Sequence, residues 1–126
     1  MNKKTKNITI ISIIIIILSI AIYSLVSYNQ KPGKLDEFAK CLQDKGAVFY
    51  GAFWCSHCNA QKETFGKSAK YLPYVECSTV DSNGQLPVCT NQKIEGYPTW
   101  IFADGSRQSG ELSLQELAEK TSCQLP

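Results

Sequence analysis

Ala47-Val48-Phe49-Tyr50-Gly51-Ala52-Phe53 runs straight into Trp54-Cys55-Ser56-His57-Cys58. The first seven residues are almost uninterruptedly apolar, the pattern of a strand covered on both faces. From Ser56 the pattern turns helical, with Ala60, Phe65 and Ala69 set for the inner side and Leu72-Pro73 as the stop. A strand thus delivers two thiols, two residues apart, to the first turn of a helix. There a disulfide can close and open with little backbone movement, and the pair can pass two electrons to or from another protein.

The two thiols are not equivalent. Cys55, at the helix N-terminus, meets unpaired backbone N–H groups and the positive end of the helix dipole, both of which favour thiolate over thiol, so it is the expected nucleophile. Cys58, one turn further in and shielded, is the expected resolving thiol, able to attack only a mixed disulfide already formed on Cys55. His57, the single histidine of the chain, can give its ring hydrogen bond or positive charge to the Cys55 sulfur. A stabilised thiolate favours the reduced pair, so the disulfide would be an oxidant. The plainer readings are a permanent Cys55 to Cys58 bridge and a surface histidine.

Outward from this stretch the chain reads as one domain. Leu35 to Lys45 places Leu35, Phe38 and Leu42 on one helical stripe, with Asp36 and Glu37 early, Lys45 late and Gly46 at the C-terminal cap. Tyr74-Val75-Glu76-Cys77 is a short strand, Asp81-Ser82-Asn83-Gly84 a turn, and Pro87 the first position of a brief helix containing Cys89. Thr99-Trp100-Ile101-Phe102 and Arg107-Gln108-Ser109-Gly110 flank Asp104-Gly105 as a hairpin. Ser113-Leu114-Gln115-Glu116 is a capping box that opens a last helix with Leu114, Leu117 and Ala118 inward. The predicted order is helix, strand, helix, strand, helix, strand, strand, helix: an α/β mixed sheet between helices.

The N-terminus is a different material. Ile8 to Tyr28 is a 21-residue stretch without a charge, long enough as a helix to cover about 30 Å of hydrocarbon. A cleaved secretory signal is the competing reading, since Lys3, Lys4 and Lys6 form a positive leader. The run exceeds the roughly 7 to 15 residues of a signal core, however, and Ser24-Leu25-Val26-Ser27-Tyr28 lacks a small-x-small cleavage site. A retained span is expected, with residues 1–7 a cytoplasmic tail, 8–28 the transmembrane anchor, 29–34 a linker and 35–126 the folded domain. The lysines place the N-terminus in the cytoplasm, which puts a single-pass protein's catalytic domain on the extracytoplasmic side of the cell membrane.

Charge and cysteine content agree with that division. Residues 31–126 hold 10 Lys and Arg against 11 Asp and Glu, so no basic stripe is available and nucleic acid is an unlikely partner class. Six cysteines, all in the outer part, suit an oxidising compartment. Cys77 and Cys89 bracket the Asn83-Gly84 turn, and closing that loop would contribute roughly 3 kcal/mol. Cys41 and Cys123 remain. Joining them would tie the first helix to the C-terminal tail for roughly 4 to 5 kcal/mol if the geometry allows it. A zinc ribbon needs two close cysteine pairs and a haem attachment needs a histidine where Asn59 stands, so no metal or cofactor is expected beyond the Cys55 and Cys58 pair.

Trp54-Cys55-Ser56-His57-Cys58 after a buried strand, followed by Gly96-Tyr97-Pro98-Thr99 just before a hairpin, resembles the thioredoxin superfamily over nearly all of residues 35–122. Within it, Tyr50 to Cys58, Tyr74-Val75-Glu76-Cys77 and Ile94-Glu95-Gly96-Tyr97-Pro98-Thr99-Trp100 look most like the thioredoxin-like domain fused to bacterial and plant homologues of vitamin K epoxide reductase. There the domain carries electrons from substrate thiols to a quinone-reducing membrane domain. The resemblance implies a thioredoxin-like fold preceded by one transmembrane helix. Pro98 would be the cis proline against the cysteine pair, Tyr97 would offer its backbone to an extended substrate, and Trp54 would cover the site. The chain has one apolar span where the fused proteins have several, so the expected redox partner is a separate quinone-reducing membrane oxidoreductase of the vitamin K epoxide reductase type. One departure matters: relatives carry a buried acid six residues before the first cysteine, where this chain has Phe49. Proton transfer to Cys58 then falls to Glu76, Tyr50 or water.

The expected activity is oxidation of extracytoplasmic protein thiols. Two other readings compete. The same site could run backwards as a reductase or isomerase, for example in cytochrome maturation, or it could be an idle binding module holding clients at Tyr97-Pro98.

Overall fold

Phe49 and Trp100 face each other across neighbouring strands and stack with ring centroids 4.8 Å apart, the centre around which the domain is layered. The computed structural model describes residues 2–126. Along the chain come α1 (Lys3–Gln30), α2 (Asp36–Asp44), β1 (Val48–Gly51) and α3 (Ser56–Phe65), then a 3-10 stretch (Gly66–Tyr71). After it follow β2 (Tyr74–Glu76), α4 (Pro87–Thr90), β3 (Thr99–Ile101), β4 (Arg107–Ser109) and α5 (Leu114–Thr121). The strands lie in the order β2-β1-β3-β4. β1 is parallel to β2 and antiparallel to β3, which pairs antiparallel with β4. The sheet is therefore mixed, and the fold is the thioredoxin-like α/β arrangement.

Strand alternation sorts the residues into two cores. Phe49 turns to the same side as Trp100 and packs with Phe38 and Leu42 of α2, Cys58 and Phe65 of α3, and Leu117 of α5. Removing each such large apolar side chain from water contributes roughly 1.5–3 kcal/mol. Tyr50 turns to the opposite side, where it joins Ile94, Cys77 and Cys89. This smaller core is closed by the Cys77–Cys89 disulfide, with Cα atoms 5.5 Å apart. A second disulfide joins Cys41 of α2 to Cys123 beyond α5, with Cα atoms 5.9 Å apart.

Several elements end a single residue from their sequence expectation, and three differ by more. The central strand stops at Gly51 rather than Phe53, because Ala52 to Trp54 turn the chain into α3 and the Cys55 N–H donates to the Ala52 carbonyl at 3.0 Å. The helix that follows ends at Phe65, well before Leu72-Pro73. Gly66 takes φ +52 as its C-cap, a backbone state that glycine adopts at little cost, and the chain continues as the 3-10 stretch. The N-terminal helix is also longer than residues 8–28, running from Lys3 to Gln30.

The chain divides after Lys31, with Pro32–Pro126 forming the compact unit. By itself α1 is long and apolar enough to cross a membrane, and none of its side chains is buried. Three of its hydroxyls serve the helix itself: Thr9 donates to the Thr5 carbonyl and Ser12 to the Ile8 carbonyl, each at 3.0 Å, and Ser19 to the Ile16 carbonyl at 2.8 Å. Hydroxyls satisfied in this way are tolerated in an apolar environment.

Candidate active site

Cys55 is the N-cap of α3. Its backbone is extended (φ −77, ψ 117) and its sulfur accepts the Cys58 backbone N–H at 3.4 Å. The Cys55 thiol in turn donates to the Tyr97 carbonyl at 3.6 Å. The Tyr97–Pro98 peptide is cis, and Pro98 is completely buried. Cys55 is 7% exposed and Cys58 is 0% exposed, so Cys55 is the nearer of the two to the surface. Both are free thiols, whereas the other four cysteines are bonded in pairs.

Cys58 lies one helical turn inside and faces Gly51. A Cβ at residue 51 would stand 2.9 Å from Cys58 Sγ and 2.8 Å from Tyr74 Cε2, so any larger residue there would displace the thiol or the ring. Burial pushes the Cys58 thiol up to about 12, and its hydrogen bond with Cys55 adds to the effect. Tyr74 is raised for a similar reason: burial first, then the hydrogen bond from its hydroxyl to Glu76. That bond is 2.7 Å long. Lys62, on the same helix as Cys58, holds its Nζ 3.4 Å from the Tyr74 ring centroid.

Trp54 stands at the rim, 52% exposed. Its indole N–H donates to Ser78 Oγ at 2.8 Å, and its ring meets Tyr97 edge-on at 5.9 Å. Gln85 donates to the Tyr97 hydroxyl at 2.7 Å. Trp54, Cys55, Tyr97 and Pro98 are therefore neighbours, as the sequence reading placed them. His57 is on the exposed side of the same helical turn, but its hydrogen bond is not the one expected. Nδ1 lies 2.7 Å from Glu111 Oε1, and the ring is engaged there instead of with the Cys55 sulfur.

Two polar side chains organise the backbone around the site, and of these the sequence points only to Glu76; Gln61 carries no sequence signature. Gln61 is buried in α3, accepts from Leu112 N–H at 2.7 Å and Trp100 Nε1–H at 3.3 Å, and donates to the Leu112 carbonyl at 3.0 Å. It thereby fixes the segment that carries Glu111. Glu76 Oε1 accepts from the backbone N–H groups of Ser78 at 2.8 Å and Phe53 at 3.3 Å. Among the described residues no cluster of three or more His, Cys, Asp or Glu is arranged to hold a metal.

The chemistry of this arrangement is that of two unequal thiols, one approachable and one behind it. Comparison with known proteins agrees. A family model described as Thioredoxin matches residues 31–122. Over 87 residues the chain is 52% identical to thiol-disulfide oxidoreductase LTO1 from Arabidopsis thaliana, covering 66% of this chain and 23% of that protein. It is 34% identical over 97 residues to thioredoxin domain-containing protein 5 homolog from Drosophila melanogaster, covering 65% of this chain and 22% of the relative. The chain thus spans less than a quarter of either relative's length. Among solved structures, oxidised mitochondrial thioredoxin 3 from Saccharomyces cerevisiae matches at 17% identity and a TM-score of 0.37, over 70% of this chain and 88% of that one. With the family model extending from the start of the compact unit to the end of α5, the chain belongs to the thioredoxin family.

Proposed function

We propose that this chain is a membrane-anchored thiol-disulfide oxidoreductase. It exchanges disulfides through Cys55, with Cys58 as the resolving thiol. The observation that carries the reading is the division of the six cysteines: four are closed in two bridges, and the two that stay free sit together at the start of α3. The name of the Arabidopsis relative, a thiol-disulfide oxidoreductase, supports the same chemistry.

The domain faces the extracytoplasmic side, held by α1, and oxidises the thiols of secreted proteins. Two bridges within one small domain support an oxidising compartment. Trp54, Tyr97 and Pro98 form the rim against which an extended substrate lies. A quinone-reducing membrane oxidoreductase of the vitamin K epoxide reductase type takes the electrons away, a partner supported by the motif resemblance. The direction of electron flow rests on Cys55. The Cys58 backbone N–H directed at its sulfur favours the reduced pair, and a disulfide whose reduced form is favoured takes up electrons readily.

The test is the redox equilibrium of the Cys55 and Cys58 pair in glutathione buffers. An oxidant equilibrates at or above the poise of an oxidising compartment, about −200 mV. A potential well below about −250 mV would reverse the assignment to a reductase. Cys58→Ala is expected to accumulate clients as mixed disulfides on Cys55, and a complete lack of such species would leave only a binding module.

A further inference from the structure

The side-chain amide of Gln85 holds both ends of the segment that leads into the cis peptide. One N–H goes to the Ile94 carbonyl at 2.9 Å and the other to the Tyr97 hydroxyl at 2.7 Å. Its Oε1 accepts from the Thr90 hydroxyl at 3.2 Å. An amide has two donor hydrogens, so both are taken up by residues 94–97, directly before Pro98. Between the two anchor points Glu95 and Gly96 are exposed. Gln85 is itself fixed from behind: its backbone bridges to Ser78, and the next residue, Leu86, donates its N–H to the Cys77 carbonyl at 2.7 Å. Ser78 holds the Trp54 indole, and the Trp54 ring meets that of Tyr97. Trp54, Ser78, Gln85 and Tyr97 thus form a closed circuit of contacts, and Tyr97 accepts the Cys55 thiol at its carbonyl.

We infer that Gln85 is a positioning residue for polypeptide substrates, holding Tyr97 and the segment before it in the one arrangement against which an extended client chain docks. The inference rests on the proposed thiol-disulfide exchange and adds what favours a polypeptide over a small thiol. Gln85 is only half-buried, so water could satisfy its amide, and the need to pair polar atoms does not account for both hydrogens meeting this one segment. Tyr97 is tied at its backbone through Cys55 and Pro98 and at its tip through Gln85. With the tip released, the ring and the two exposed residues before it would have to be ordered anew each time a client binds. That cost falls on the docking of a long chain and not on a small thiol, which needs only the Cys55 sulfur.

The exchange itself balances without Gln85. A client thiolate attacks Cys55 Sγ of the oxidised pair, the Cys55–Cys58 bond breaks and Cys58 leaves as the thiolate. A second client thiolate then attacks the client sulfur of the mixed disulfide and releases Cys55. The client has lost two electrons and the domain has gained them. Gln85 takes part in neither transfer and acts on the docking that precedes the first.

The experiment compares two substrates of the oxidised full-length chain in detergent micelles: an extended synthetic peptide with two cysteines, and reduced glutathione. For Gln85→Leu, kcat/KM for the peptide relative to that for glutathione is expected to fall by about five- to tenfold, the scale of one or two neutral hydrogen bonds. The loss should lie in KM for the peptide. Tyr97→Phe keeps the ring and its packing, and should lower the ratio in the same direction and to no greater degree. The double variant should match Gln85→Leu, because the two changes remove one shared contact. A ratio unchanged in both single variants would overturn the inference. So would an equal loss toward both substrates, the mark of displaced structure, or losses that add in full in the double variant. A parent that oxidises neither substrate would instead overturn the exchange activity on which the inference rests.

Discussion

His57 Nδ1 lies 2.7 Å from Glu111 Oε1, joining the first turn of α3 to the connection between β4 and α5 across 54 residues of sequence. The side chains are 71% and 43% exposed, so the pair is an adjustable surface contact rather than a rigid strut. Its effect is directional: it holds the only imidazole of the chain on the carboxylate, away from the thiol it follows by two positions.

Glu111→Gln should release that ring to turn toward Cys55. Positive charge nearer the sulfur stabilises the reduced pair, so the equilibrium with glutathione is expected to move toward the dithiol by about two- to fivefold, the scale of an exposed ion pair. His57→Ala in the same background should abolish the shift. An equilibrium constant unchanged by Glu111→Gln would show that the contact has no part in setting the potential.

Gln61→Leu keeps the volume of a buried side chain and removes its polar end. The Leu112 N–H and carbonyl and the Trp100 indole N–H lose their partner, at about 1–3 kcal/mol for each group left unsatisfied. Urea denaturation should show a loss of about 3 kcal/mol or more. Because Leu112 adjoins Glu111, the redox equilibrium should also move in the direction of Glu111→Gln.

The reduced protein should weaken in alkali. Burial raises the folded-state Cys58 thiol from 9.0 to about 12, so above pH 9 the unfolded chain releases this proton before the folded one does. Stability from Cys58 is therefore complete below about pH 9 and declines through the interval up to about pH 12. Denaturation midpoints measured from pH 8 to 11 should fall more steeply for the reduced than for the oxidised protein, whose Cys58 has no thiol to titrate.

Replacing Cys77 and Cys89 together by Ala should cost roughly 3 kcal/mol, and replacing Cys41 and Cys123 together roughly 4 to 5 kcal/mol, since the second bridge closes the longer loop. The separations are 12 and 82 residues. Equilibrium unfolding with Cys55 and Cys58 held reduced isolates these contributions, and the order of the two losses is the quantity to check.

What could be read from the chain alone followed locality. The apolar run ending in two thiols, the capping box at Ser113 and the proline at the start of α4 are each written within a few residues, and each stands where the pattern put it. The pattern after Cys58 predicts too long a helix because Leu72-Pro73 is the louder stop, although Phe65-Gly66 carries the glycine that ends it. Gln61 gave no warning, since nothing in its neighbours says that a polar side chain there faces a distant strand and loop. The Glu111 contact with His57 depends on where β4 hands over to α5, and Tyr74 meets Cys58 only through the register of β2 on β1. Sequence spacing specifies the two free sulfurs; tertiary pairing specifies what surrounds them.

The bond between Cys41 and Cys123 also has a mechanical meaning. It makes residues 41–123 a covalent ring, outside which the chain up to Lys40 and residues 124–126 form the two ends. Tension drawn between the N-terminal helix and the chain's end would straighten those ends and then stop. A protease nick anywhere within the ring would leave both pieces attached until a reductant cut the bridge, so the domain tolerates pulling and clipping that would dismantle an unbridged chain.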